Sequence, residues 1–162
     1  MRAALAALSA LALGACAASA PPQATRAVSD TTLHRGESPE LRGLIRAAAN
    51  EHGIPEALLH RVIQRESNYR PEARNGPYWG MMQILPQTAR TMGFRGEPEA
   101  LLDPQVNLRY AGRYLRGAWL VADGDTDAAV MWYARGYYYE ARERCMLVET
   151  GLAQREVARH CG

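Results

Sequence analysis

A chain of 162 residues with 48% hydrophobic and 22% charged positions has room for one domain with a hydrophobic core, and its composition is too ordinary for wholesale disorder. No apolar run reaches the roughly 20 residues of a helical membrane span, which excludes a polytopic membrane protein. All 19 basic residues are arginine, so lysine Schiff-base chemistry is excluded, and a net charge of +2 without a basic cluster gives no ground for nucleic-acid binding.

The N-terminus reads as an export signal over residues 1–15: Met1-Arg2, an apolar run from Ala3 to Leu13, then Leu13-Gly14-Ala15-Cys16. The last four resemble the lipobox of bacterial lipoproteins, which implies cleavage before Cys16, lipidation of that cysteine and a lipid anchor in the membrane. Ala18-Ser19-Ala20 leaves open ordinary signal cleavage and a soluble periplasmic form. Ala17 follows the cysteine in place of aspartate, and by the same resemblance this points to the outer membrane of a Gram-negative envelope. Residues 16–38, with Pro21-Pro22, Gly36 and several Ser and Thr, carry no sustained apolar period and read as a flexible tether. A folded domain is expected over 39–162.

Export would place Cys145 and Cys161 in an oxidising compartment, and a disulfide between them is expected. A metal site is the weaker reading. His160 adds only one more ligand there, and His34, His52 and His60 have no zinc-type spacing and are expected at the surface or at helix ends.

Helices follow in chain order. Leu41, Leu44, Ile45 and Ala48 recur at helical spacing over Glu40 to His52, with Gly53 as the stop. Pro55 opens a second helix to about Ser67 whose apolar stripe is Leu58, Leu59, Val62 and Ile63. Glu66 falls on that same stripe, three residues after Ile63 and four after Val62, where propensity alone would not put a carboxylate. Residues 68–79 are polar, turn-rich and tipped with aromatics, a loop suited to line a cleft. A short helix from Pro86 to Met92 follows. Asp103-Pro104 caps a long helix to about Asp123, and Thr126 to Tyr133 forms the next. Two more helical stretches are expected over 139–150 and 152–160. No alternating strand pattern of useful length appears, so the chain reads as an all-α single domain.

Glu66-Ser67-Asn68-Tyr69-Arg70-Pro71-Glu72-Ala73, followed by Gly80-Met81-Met82-Gln83-Ile84-Leu85-Pro86-Gln87-Thr88-Ala89, resembles the two linked signatures of soluble-type lytic transglycosylases, relatives of goose-type lysozymes. Asp103-Pro104-Gln105-Val106-Asn107, with Tyr114-Leu115, is similar to the family's third block. Met131-Trp132-Tyr133-Ala134-Arg135-Gly136 aligns with the fourth but places Ala134 where asparagine is usual. The resemblance covers about residues 40–145 and implies a lysozyme-like helical fold acting on peptidoglycan glycan strands.

What the resemblance implies chemically is that Glu66 protonates the β-1,4 bond between N-acetylmuramic acid and N-acetylglucosamine. As a carboxylate it then takes the proton of the muramic C6 hydroxyl, which closes a 1,6-anhydro ring. An acid that keeps its proton near neutral pH needs an apolar setting, and the stripe supplies one. Retaining and inverting hydrolases need a second carboxylate, and Glu72, Glu97, Glu99 and Asp103 have no better claim than turn, solvated loop and helix cap. In this reading Tyr133 hydrogen-bonds Glu66, Ser67 and Gln83 contact sugar polar groups, and Met82 with Tyr78 or Trp79 forms cleft wall. Asn107 belongs to the site or holds a buried helix contact. Tyr137 to Tyr139 offer sugar stacking or packing. No metal or organic cofactor is called for, and an envelope-complex partner is left open. A non-catalytic glycan-binding lipoprotein and a water-using, lysozyme-like hydrolase are the alternatives.

Overall fold

The computed structural model describes residues 32–162, so the export signal, Cys16 and the tether as far as residue 31 lie outside the described residues. Helix α1 (Pro39–His52) begins where the Ser38 side chain accepts the Leu41 amide and ends where Gly53 turns left-handed. Helix α2 (Glu56–Glu66) starts behind Pro55, and α3 (Pro86–Thr91) starts with a proline. Helices α4 (Pro104–Val121) and α5 (Thr126–Arg135) are capped by the carboxylates of Asp103 and Asp125, which accept the amides of Val106 and Ala128 at 2.9 and 2.7 Å. Helix α6 (Tyr138–Glu143) follows.

Helix α4 packs against α1 and α5, and α2 packs against the same two helices. Leu108, Ala111, Leu115 and Ala118 supply its buried stripe, facing Ile45 of α1 and Leu58, Leu59 and Ile63 of α2 in one continuous core. Each large side chain taken fully from water there contributes about 1.5–3 kcal/mol. No helix among the described residues is long and apolar enough to cross a membrane.

The structure departs from the sequence reading in four places. Residues 74–79 form a hairpin of two-residue strands, β1 (Arg74–Asn75) and β2 (Tyr78–Trp79), too short to show an alternating pattern. The helix expected over 139–150 stops at Glu143, and Cys145 follows with φ 55°. No α-helix covers 152–160 either. There the chain is irregular as far as a short 3-10 turn, Arg159–Cys161, and the Glu156 carboxylate accepts the amides of Leu147 and Val148 at 3.2 and 2.8 Å. The Cys145–Cys161 disulfide is formed, with Cα atoms 5.5 Å apart, and fixes this segment covalently.

The third departure concerns the segment expected to be tether, which folds onto the domain from His34 onward. Glu37 is buried and takes two hydrogen bonds of 2.6 Å from the Arg42 guanidinium and one of 2.9 Å from the His34 amide. The His34 ring stacks on Tyr69 with centroids 5.5 Å apart. The tether assigned to 16–38 is therefore too long at its C-terminal end, because this strap is held by polar pairing that leaves no apolar period. The fourth concerns the histidines. His52 ends helix α1, one of the two expected places, and is buried there, whereas His60 is buried within α2, neither at the surface nor at a helix end. His60 Nδ1 lies 2.8 Å from the Tyr69 hydroxyl, and His52 Nε2 lies 3.1 Å from the Leu108 carbonyl.

Candidate active site

Helix α2 delivers Glu66 as its last residue, and the chain then reverses through Ser67 into Asn68 and Tyr69, both left-handed at φ 52° and 64°. That reversal leaves the carboxyl at the wall of a cleft of about 340 Å³, lined by Arg65, Glu66, Asn75, Tyr78, Gln83, Tyr133 and Ala134. A second lobe of about 210 Å³ shares Tyr78, Gln83, Tyr133 and Ala134 with the first and continues past Thr88, Tyr114 and Arg135.

The Glu66 side chain is 23% exposed, and burial raises its carboxyl above the ordinary range, offset in part by Arg65, whose Nε stands 3.7 Å from Oε1. No second carboxylate lines either lobe among the described residues. The cleft thus presents one carboxyl group, partly desolvated, open to a ligand and with its proton affinity raised.

The expected partners of Glu66 divide into those in the cleft and those beneath it. Tyr78 and Gln83 line both lobes, as expected. Gln83, at φ 51°, directs its Nε2 to the carbonyls of Ala73 and Gly80 at 3.0 and 2.8 Å, so its amide nitrogen braces the loop and only its oxygen is left for a ligand. Tyr133 lines the cleft too, but its hydroxyl donates to the Met82 carbonyl at 2.8 Å, not to Glu66. Burial, and then the nearby Glu66 charge, push the Tyr133 phenol well above its usual range, so it stays neutral.

Ser67, Met82 and Asn107 do not meet the cleft. Ser67 is buried, with its hydroxyl donating to the Met81 carbonyl at 2.7 Å and accepting the Arg70 amide at 3.1 Å. Met82 is fully buried, so its side chain is core and not cleft wall, and Trp79 is buried as well, beneath the Arg74 guanidinium at 3.5 Å. Asn107 accepts the Met82 amide at 2.9 Å and donates to the carbonyls of Trp79 and Leu101 at 3.1 and 2.9 Å. It is the buried helix contact of the two readings. Gly80 lies against Asn107 and the Leu101 carbonyl at φ 74°, leaving no space for a Cβ. Tyr137 is packing, its hydroxyl donating to the Tyr114 carbonyl at 2.8 Å, whereas Tyr138 and Tyr139 are exposed.

The sequence reading passed over Arg65, Asn75 and Arg135. The only available signal was adjacency, since Arg65 precedes Glu66, Arg135 follows Ala134 and Asn75 lies in the loop expected to line a cleft. Two groups of metal-type donors come together elsewhere among the described residues, and neither offers a ligand set. Cys145 and Cys161 beside His160 are joined to each other, and the Glu37 oxygens between His34 and His60 are occupied by Arg42.

A mostly helical domain with one desolvated glutamate at the end of a core helix, facing an elongated groove, is of the lysozyme-like class. Residues 43–143 match the family described as Transglycosylase SLT domain, more than half of the chain, and the chain belongs to that family. It is 34% identical over 99 residues to peptidoglycan transglycosylase gp16 of Escherichia phage T7, covering 58% of this chain and 7% of that one. Membrane-bound lytic murein transglycosylase C of Histophilus somni (strain 2336) is 36% identical over 80 residues, 44% of this chain and 22% of that protein. The same-named protein of Cronobacter sakazakii is 32% identical over 81 residues, 45% of this chain and 22% of the other. The chain thus spans less than a quarter of the length of these curated relatives. No solved structure matches it with significance.

Proposed function

We propose that the protein is a peptidoglycan lytic transglycosylase in which Glu66 serves first as general acid and then as general base. The observation that carries this reading is the solitary, partly buried Glu66 carboxyl at the wall of the groove. Its raised proton affinity suits it to protonate the glycosidic oxygen as the bond between N-acetylmuramic acid and N-acetylglucosamine opens. The resulting carboxylate then accepts the proton of the C6 hydroxyl, whose oxygen attacks the anomeric carbon and forms the 1,6-anhydro product. The nucleophile comes from the substrate, so one carboxyl suffices where a hydrolase needs two.

The relatives named as peptidoglycan and lytic murein transglycosylases support the same substrate class. Tyr78, Asn75 and the Gln83 oxygen offer stacking surface and polar groups to the sugars, with Ala134 leaving space where the family's asparagine is usual. The lipobox-like stretch ending in Cys16 supports export and a lipid anchor in the bacterial envelope, with the periplasmic face of the outer membrane as the finer reading.

The test is digestion of purified sacculi by the protein and by Glu66→Gln, with the fragments weighed by mass spectrometry. Anhydromuramyl ends from the wild type alone support the proposal. Reducing ends one water heavier assign a hydrolase instead, and sacculus binding without release assigns a glycan-binding protein.

A further inference from the structure

Away from the groove, a concavity of about 440 Å³ opens between the end of α1, the loop after α3 and one face of α4. It shares no lining residue with either lobe of the groove. Arg109, Arg113 and Arg116 line it together with Tyr110 and His52. The three arginines stand four and three residues apart, so one turn of helix after another presents a guanidinium to the same side. The chain has no basic cluster in sequence, and helical geometry makes this one.

No ion pair among the described residues neutralises it. Helix α4 carries these three arginines and no acidic side chain, and like charges at such spacing weaken a helix. Arg42, Arg46, Arg61, Arg65 and Arg144 each reach a carboxylate, whereas among the described residues Arg109, Arg113 and Arg116 reach none. Glu51 is the only acid on the rim. Two of the guanidiniums are nevertheless held in place. Arg113 Nη1 donates to the Met92 carbonyl at 3.2 Å and Arg116 Nη1 to the His52 carbonyl at 2.8 Å, which leaves several N–H groups on each for a ligand. Tyr110, set edge-on against Phe94 at 5.2 Å between centroids, adds a phenol hydroxyl.

We propose that this basin binds a phosphate group, held by the guanidiniums of Arg109, Arg113 and Arg116. A single carboxylate would occupy one guanidinium fork, whereas a tetrahedral phosphate presents oxygens to several at once and matches the charge better. The volume exceeds that of inorganic phosphate and accommodates the organic part of a phosphate ester. Such a group reaches an envelope protein either as a soluble ester or as the headgroup of an anionic phospholipid.

The test follows the arginine Nε–Hε NMR signals of the full chain during titration with inorganic phosphate. Saturable shifts at the three arginines are expected, with affinity at least about tenfold weaker in Arg109→Gln. The Arg109 side chain is exposed and makes no hydrogen bond among the described residues, so this variant keeps the wild-type thermal transition and the wild-type cleavage of sacculi. Shifts that never saturate, or an Arg109→Gln variant with wild-type affinity, would overturn the proposal. Sedimentation with phosphatidylglycerol vesicles in preference to phosphatidylcholine vesicles, competed by phosphate and lost in Arg109→Gln, identifies the lipid headgroup as the source. Saturable phosphate binding with equal sedimentation on both vesicles identifies a soluble ester.

Discussion

The Tyr133 hydroxyl donates to the main-chain carbonyl of Met82 at 2.8 Å, joining helix α5 to the turn that carries Gln83. The phenol is buried and lines the cleft with Glu66 without hydrogen-bonding the acid itself. Tyr133→Phe removes one donor and leaves a buried carbonyl unpaired, a loss of about 1–3 kcal/mol of stability. The expected signature is a lower urea midpoint at an unchanged slope, with the alkaline limb of the pH–rate profile, where Glu66 loses its proton, in place. A large displacement of that limb would show that Tyr133 acts on Glu66 directly.

Asn107 ties three strands of backbone together, and its substitution should be felt in the fold before the chemistry. Asn107→Ala leaves the Met82 N–H and the Leu101 carbonyl buried and unpaired, each at roughly 1–3 kcal/mol, while the Trp79 carbonyl keeps the Ile84 amide. Asn107→Asp keeps the acceptor for Met82 but turns an oxygen toward the carbonyls of Trp79 and Leu101, so it too is expected to destabilise. Both variants should melt well below the wild type. An Asp variant as stable as the parent would contradict the assignment of donor and acceptor.

Glu66 carries a pH signature in stability as well as in rate. Burial raises its folded-state proton affinity above that of the unfolded chain, so the native state binds the proton more tightly. The wild type therefore loses stability relative to Glu66→Gln as pH rises from the ordinary glutamate range through the raised folded value, and the gap is constant above it. Denaturant titrations of both proteins across that window measure it. A gap that opens on acidification would mean that the carboxylate is favoured by the fold.

Glu37 has the opposite sign. Burial opposes its ionised form, but the Arg42 pair and the His34 amide prevail and hold its carboxyl below the usual range. Its contribution is present above the unfolded value and is lost as pH falls through the folded one. Arg42→Met strands a buried carboxylate and is expected to cost about 3–5 kcal/mol, whereas the double variant Arg42→Met with Glu37→Leu recovers most of it. Thermal transitions of the two at neutral pH check this.

The helices were legible where local chemistry announces them. Asp103-Pro104 and Gly53 mark ends that the structure places at those residues, and the Glu66 position on an apolar stripe already singled out the acid. What escaped the sequence depends on partners far apart in the chain. The bonds Tyr133 to Met82 and Asn107 to Trp79 leave no periodic trace, so Ser67 and Met82 read as cleft residues and Asn107 stayed open between site and helix contact, although all three face inward. The strap at 34–38 is polar and resembles a linker. The segment after Glu143 has a helical composition, but Cys145, the disulfide and Glu156 impose another course.

The most direct test of the central claim is the mass of the muropeptide ends released from sacculi by wild-type protein and by Glu66→Gln. 1,6-Anhydromuramyl ends are expected from the wild type and none from the variant, which should still fold and bind sacculi. Near-normal release of the same ends by Glu66→Gln would contradict it.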